Sequence, residues 1–167
     1  TRSDAAYAQA ALTSMAAALP KKTLADAVVV SSKSADDRFR LYKVNDCVPQ
    51  LRLKIRQVLT AMDALGWPML ITDGFRTVAE QQRLYAQSRT APGPRVTDRD
   101  GVLNKSNHQS GRACDCTFID HDTGKPTWDL RYPWAAYGAC VEAVGLKWGG
   151  RAAGPLHDQP HAELHEG

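Results

Sequence analysis

The run "SNHQSGRACDC", Ser106 to Cys116, sets an imidazole and a carboxylate seven residues apart. His108 and Asp115 are separated by Gly111, and a cysteine stands on each side of the acid. Neither cysteine completes a C-x-x-C spacing, so a zinc finger or a dithiol redox pair does not fit. A second concentration of the same chemistry lies downstream in "HDQPHAELH", which holds His157, Asp158, His161, Glu163 and His165. Two acid/histidine clusters in one half of a chain point to a metal ion assembled across the fold.

His108 reads as a loop residue at the entry of a strand and Asp115 as a residue of the strand itself. Gly111 supplies the tight backbone path that lets both face one point. His161 follows Pro160, which disfavours a helix interior and favours extended chain, so His161 is expected at the start of a strand beside the first. Two histidines and one carboxylate leave the fourth position of a tetrahedral ion open, the layout of catalytic rather than structural zinc. Strand alternation then turns Cys114 and Cys116 into the core behind Asp115. The expectation is one Zn²⁺ held by His108, Asp115 and His161.

A competing ligand set exists. His161 and His165 are spaced like the histidine pair of H-E-x-x-H zincins, but Glu163 is not adjacent to His161 as that helical motif requires. On a strand, His161, Glu163 and His165 share one face, so Glu163 or His165 is a candidate replacement ligand or a group behind the ligands. Asp158, three residues before His161, is placed to take a proton from an attacking water and pass it to a leaving amine. Arg76, in "TDGFRT", sits where a strand gives way to a helix, and its guanidinium could stabilise a developing oxyanion.

Several elements must position these groups. "VPQLRLKIRQVLTAMDALGW" carries Val48, Leu51, Ile55, Val58, Leu59, Met62 and Leu65 at helical spacing, an amphipathic helix closed by Gly66. "PMLITDGF" reads as a strand ending at Gly74. "TVAEQQRLYAQS" reads as a helix with Thr77 as N-cap and Glu80 completing a capping box. The Pro/Gly/Asp-rich "RTAPGPRVTDRDGVLNKSN" is a long loop, of the length that usually serves function. "GRACDCTFID" is expected as a strand, "LRYPWAAYGACVEAVGL" as a helix, and "KWGG" and "PHAELH" as short strands. Helices and strands do not alternate regularly, which favours an α+β fold with a small antiparallel sheet flanked by helices. Residues 4–19 read as a helix stopped by Pro20, and "ADAVVVSS" as a short strand.

Composition sets the remaining bounds. The 167 residues suit a single domain, 1–167, with 43% hydrophobic and 23% charged residues and a net charge of +3. That charge is too small to argue for nucleic acid. The Ala-rich N-terminal stretch lacks the basic flank and apolar block of a signal peptide and is too short and polar to span a bilayer. Cys47, Cys114, Cys116 and Cys140 are compatible with disulfides or with buried free thiols.

The motifs also resemble a known family. "SNHQSGRACD" is similar to the S-x-H-x-x-G-x-A-x-D signature of the zinc D,D-carboxypeptidase and L-alanyl-D-glutamate peptidase family, which cleaves bacterial cell-wall peptides. "GLKWGG" followed by "DQPHAEL" resembles its closing motif, and "TDGFRTVAEQQRLYAQ" its Arg-containing strand-to-helix segment. "SRTAPGPRVT" is similar to the loop of its endopeptidase branch, found in phage endolysins. The blocks fall in the family's order over roughly residues 68–165; Ala162 stands where the family often has an aromatic.

The resemblance implies the Hedgehog/D,D-peptidase fold, with residues 46–167 as the peptidase core and 1–45 as an N-terminal addition of unassigned role. It implies His108, Asp115 and His161 as zinc ligands, Asp158 as general base, Arg76 as stabiliser of the tetrahedral intermediate and Ser106 as a substrate-binding or orienting residue. The implied activity is hydrolysis of peptidoglycan stem peptides between L-Ala and D-Glu by a monomer acting in the bacterial wall or periplasm. D-Ala-D-Ala carboxypeptidase activity and a non-catalytic wall-binding module are the alternatives.

Overall fold

A computed structural model describes residues 44–153 and 157–165. The expected N-terminal helix and strand lie outside them. Helix α1 (Pro49–Ala64) opens with a proline in its first turn, where the missing N–H has no helical partner to lose. Its apolar stripe, Leu51, Ile55, Val58, Leu59 and Met62, is wholly buried. Each of those side chains contributes about 1.5–3 kcal/mol by leaving water. Gly66 ends the helix with φ +80° and turns the chain into β1 (Met69–Asp73).

Helix α2 (Val78–Ala86) begins at the expected capping box. The Thr77 hydroxyl accepts from Glu80 N, and the Glu80 carboxylate accepts from Thr77 N. After the long loop, a 3-10 turn (Asn107–Ser110) leads into β2 (Ala113–Ile119). There follow β3 (Pro126–Thr127), helix α3 (Trp134–Ala143), β4 (Lys147–Trp148) and β5 (His161–Glu163). The strands form one antiparallel sheet in the order β1-β2-β5-β4, with β3 pairing to the far end of β2. Among the described residues the architecture is the expected α+β class, a small antiparallel sheet with three α-helices. No described helix is long and apolar enough to cross a membrane.

The period-two alternation of β2 divides the molecule. Cys114, Cys116 and Phe118 point into a core completed by α1, α3, Met69, Ile71 and Ala162. Asp115, Thr117 and Ile119 face the other way. All four cysteines are buried and outside any disulfide, and burial raises the pKa of Cys47 to about 11. Ala162 is fully buried with Cys114 and Trp148 as its cross-strand partners, so its small side chain leaves no opening at the surface.

The two-residue β3 was not expected from the sequence. Proline in a strand and a length of two residues give no periodicity to read. The Thr117 hydroxyl donates to the Thr127 carbonyl and helps fasten it.

Candidate metal centre

Three elements converge on the outer face of the sheet. β2 and β5 pair so that Asp115 lies directly opposite His161. The 3-10 turn before β2 delivers His108. Ser106 caps that turn: its hydroxyl accepts from His108 N, while the Gln109 side-chain oxygen accepts from Ser106 N at 2.9 Å. Gly111 leaves the turn in the left-handed region at φ +65°, and a Cβ there would meet the Asp46 carbonyl at 2.9 Å. Only glycine fits both demands. Arg76 N donates to the His108 carbonyl, tying the turn to the β1–α2 junction.

The donor atoms form a tight triangle. His161 Nδ1 lies 3.0 Å from Asp115 Oδ1 and 3.3 Å from His108 Nε2. His108 Nε2 is 3.4 Å from Asp115 Oδ1. Ligands roughly 2.0–2.1 Å from a tetrahedral ion stand about 3.3 Å from one another. The three edges match that figure closely. These residues are the group of metal-capable side chains found among the described residues.

The other ring nitrogens are held as metal-binding histidines require. His108 Nδ1 donates to the Gly74 carbonyl at 2.7 Å, which leaves the Nε2 lone pair turned to the cluster. His161 Nε2 contacts Glu163 Oε2 at 3.2 Å. Glu163 is itself steadied by Asn107 Nδ2 and Lys147 Nζ, each donating at 2.7 Å.

The electrostatics favour a cation. Burial lowers the pKa of His161, but hydrogen bonds to Asp115 and Glu163 outweigh it and lift the value to about 10. Burial also works against ionised Asp115, yet His108 and His161 hold its pKa well below the ordinary carboxylate range. The hydrogen bond from His161, helped by Lys147 and Asn107 against burial, does the same for Glu163. A divalent ion would take over the positive charge that the His161 proton otherwise supplies.

Asp158 stands at the exposed rim, in the segment leading to β5. Its backbone N donates to the Gly149 carbonyl and its carbonyl accepts from His161 N. A Cβ on Gly149 would lie 2.5 Å from the Asp158 carbonyl oxygen and 2.8 Å from His161 Cβ, so glycine allows this loop to close on the site. Surrounding protein raises the Asp158 pKa and the Asp115 charge adds to the rise, against the pull of His161, His108 and Arg76.

Arg76 is buried rather than free. Its Nε donates to Asp73 Oδ2 at 3.0 Å, one terminal nitrogen reaches the same oxygen at 2.5 Å, and the other donates to Gln81 Oε1 at 2.7 Å. Its closest approach to the cluster is 3.8 Å, from a terminal nitrogen to Asp115 Oδ2. Asp73 and fully buried Gln81, which orient it, were not singled out from the sequence. Glu163 was, as a group behind the ligands. His165 is exposed and lies past the end of β5, and His157 contacts the Ala152 carbonyl, so neither joins the triangle.

No protein-family model matches the chain. A Bacillus subtilis (strain 168) protein, peptidoglycan L-alanyl-D-glutamate endopeptidase CwlK, is 34% identical over 107 residues, covering 59% of this chain and 62% of the relative. The chain therefore spans about three fifths of that relative's length. The crystal structure of Serratia marcescens L-Ala D-Glu endopeptidase ChiX superposes with a TM-score of 0.55 at 22% identity, covering 73% of this chain and 83% of ChiX. This chain has the ChiX fold. The likeness to ChiX is one of fold.

Proposed function

We propose that the chain is a zinc-dependent peptidoglycan peptidase that hydrolyses the bond between L-Ala and D-Glu of the stem peptide. The observation that carries the reading is the triangle of His108 Nε2, Asp115 Oδ1 and His161 Nδ1, with edges of 3.3, 3.0 and 3.4 Å. The 34%-identical relative bears the name of an enzyme for that bond and supports this choice. Residues 46–167 would form the catalytic core, acting in the bacterial cell wall.

The donor set suits zinc, since two imidazoles and one carboxylate are borderline-to-hard ligands and leave a position open. When bound there, the ion would supply Lewis acidity, polarising an amide carbonyl and making water more acidic. Everything else falls to the chain. Asp158 takes the proton of the attacking water and returns it to the amine that leaves. Its raised pKa suits both halves of that exchange, because the two require opposite protonation states. Arg76, locked by Asp73 and Gln81, presents a fixed positive charge beside the reacting carbonyl as negative charge builds on oxygen. Ser106 acts through the turn it caps, by setting where His108 points.

The test is digestion of purified sacculi followed by mass analysis of the products. Peptides beginning with D-Glu, released only by protein that retains metal and abolished by a chelator, are expected. Release of terminal D-Ala instead would establish the carboxypeptidase alternative. Wall binding without any release would establish the non-catalytic one.

A further inference from the structure

A cleft opens beside Arg76. It has a volume of about 370 Å³ and is lined by Asp73, Arg76, Glu80, Arg83, Leu84 and Gln87. The last four recur at i, i+3, i+4 and i+7, so one face of α2 and its end forms the wall. Arg76 spans the boundary, in the cleft on one side and 3.8 Å from Asp115 on the other.

The charged groups lining this cleft are not equally committed. Asp73 Oδ1 accepts from Gly74 N, and its Oδ2 takes Arg76. Arg76 is further held by Gln81. Glu80 is engaged by the Thr77 backbone N–H and hydroxyl. Arg83, exposed to solvent, has no carboxylate within salt-bridge distance among the described residues. It is the cation of this cleft left available to an incoming anion, and its planar fork matches a carboxylate.

The geometry points to Arg83 as the residue that recognises a free carboxylate of the substrate. This rests on the peptidase reading, which supplies that carboxylate: a D-glutamyl residue keeps one carboxyl free when the other is in amide linkage. Formal charges in the cleft cancel, two arginines against two acids. The attraction is therefore local, and the expected discrimination is modest, about fivefold, as befits an exposed charge pair.

The experiment uses acylated stem tripeptides, L-Ala–D-Glu followed by one further residue. The glutamyl carboxyl and the far terminal carboxyl are amidated one at a time, and kcat and KM are measured on the metal-loaded protein. Wild type should lose about fivefold in kcat/KM, through KM, when the recognised carboxyl is amidated. Which amidation matters identifies the source of the carboxylate. Arg83→Ala should cut both peptides with equal KM, Arg83→Lys should keep part of the preference, and Arg83→Glu should invert it. Arg131→Ala, a distant exposed arginine, should leave the preference intact. Indifference of wild type to both amidations, or a preference that survives Arg83→Ala, overturns the assignment.

If wild type cuts none of the peptides, the peptidase reading has failed and the cleft is tested separately. Acetyl-D-glutamate titrated into ¹⁵N-labelled protein should then shift the Arg83 Nε resonance, and its diamide should not. An unmoved resonance overturns the carboxylate site on its own.

Discussion

The two ends of β2 carry the same chemistry to different purposes. At the entry end, Asp115 lies among His108 and His161; just past the exit end, Asp120 is followed by His121, with Trp67 and Tyr132 around them. Asp120 is surrounded by donors: Thr123 N at 2.8 Å, the Thr123 hydroxyl at 2.7 Å and the Tyr132 hydroxyl at 2.9 Å. Those donors satisfy it, and led by the bonds from Thr123 they lower its pKa to about 2. His121 packs its ring 5.1 Å from Trp67 and stacks parallel to Tyr132. Asp115 faces two imidazoles instead, and His161 serves it as a donor only while that ring carries its extra proton. With His108 Nδ1 committed to a carbonyl, the nitrogen it turns inward bears a lone pair, so the cluster calls for one positive charge, from a proton on His161 or from a metal ion. Residue type does not distinguish a site from a structural turn; the balance of donors and acceptors around it does.

Four substitutions test that contrast, in falling order of effect. His161→Ala removes a corner of the triangle and should abolish stoichiometric metal, with hydrolysis falling at least about a thousandfold; metal analysis and muropeptide assays read both. Asp158→Asn should reduce kcat by about 10²–10⁴-fold while metal content stays at one ion. A matching loss of metal would mean that the residue holds the ion instead of moving protons. Glu163→Gln keeps the shape but weakens the acceptor behind His161, so metal affinity should fall about 10–100-fold in a competition titration.

Asp120→Asn should leave metal binding alone and lower Tm by a few degrees at neutral pH. Because the folded pKa of Asp120 is depressed, its contribution is present above the ordinary carboxylate value of 3.8 and is lost as pH falls through about 2. The Tm gap between wild type and this variant should accordingly narrow across that window. A gap independent of pH would show that ionisation of Asp120 does not contribute.

Much of this arrangement was legible in the residues. The stripe on α1 and the Thr77/Glu80 box are local patterns, and local patterns survive folding. The alternation around Asp115 correctly sent Cys114 and Cys116 inward, because a strand between core and solvent has no other choice. Other parts lay beyond reach. The Gly74 carbonyl that fixes the His108 tautomer is backbone, which any residue offers. Arg76 was singled out, but not the Asp73 and Gln81 that hold it; that pairing depends on how β1 turns into α2. One signal was present and unread. Ser106 and Gln109 have the S-x-x-Q spacing of a capping box, which marks Ser106 as the cap of the histidine's turn.

The order in which the chain is made gives the β2–β5 pairing a temporal meaning. His108 and Asp115 emerge from the ribosome well before His161, which is 46 residues beyond Asp115. A nascent or truncated polypeptide ending short of β5 thus has two corners of the triangle and lacks the third, along with Asp158 or its anchorage. Under the proposed function, any copy that stops before β5 lacks a complete triangle and is silent towards the wall.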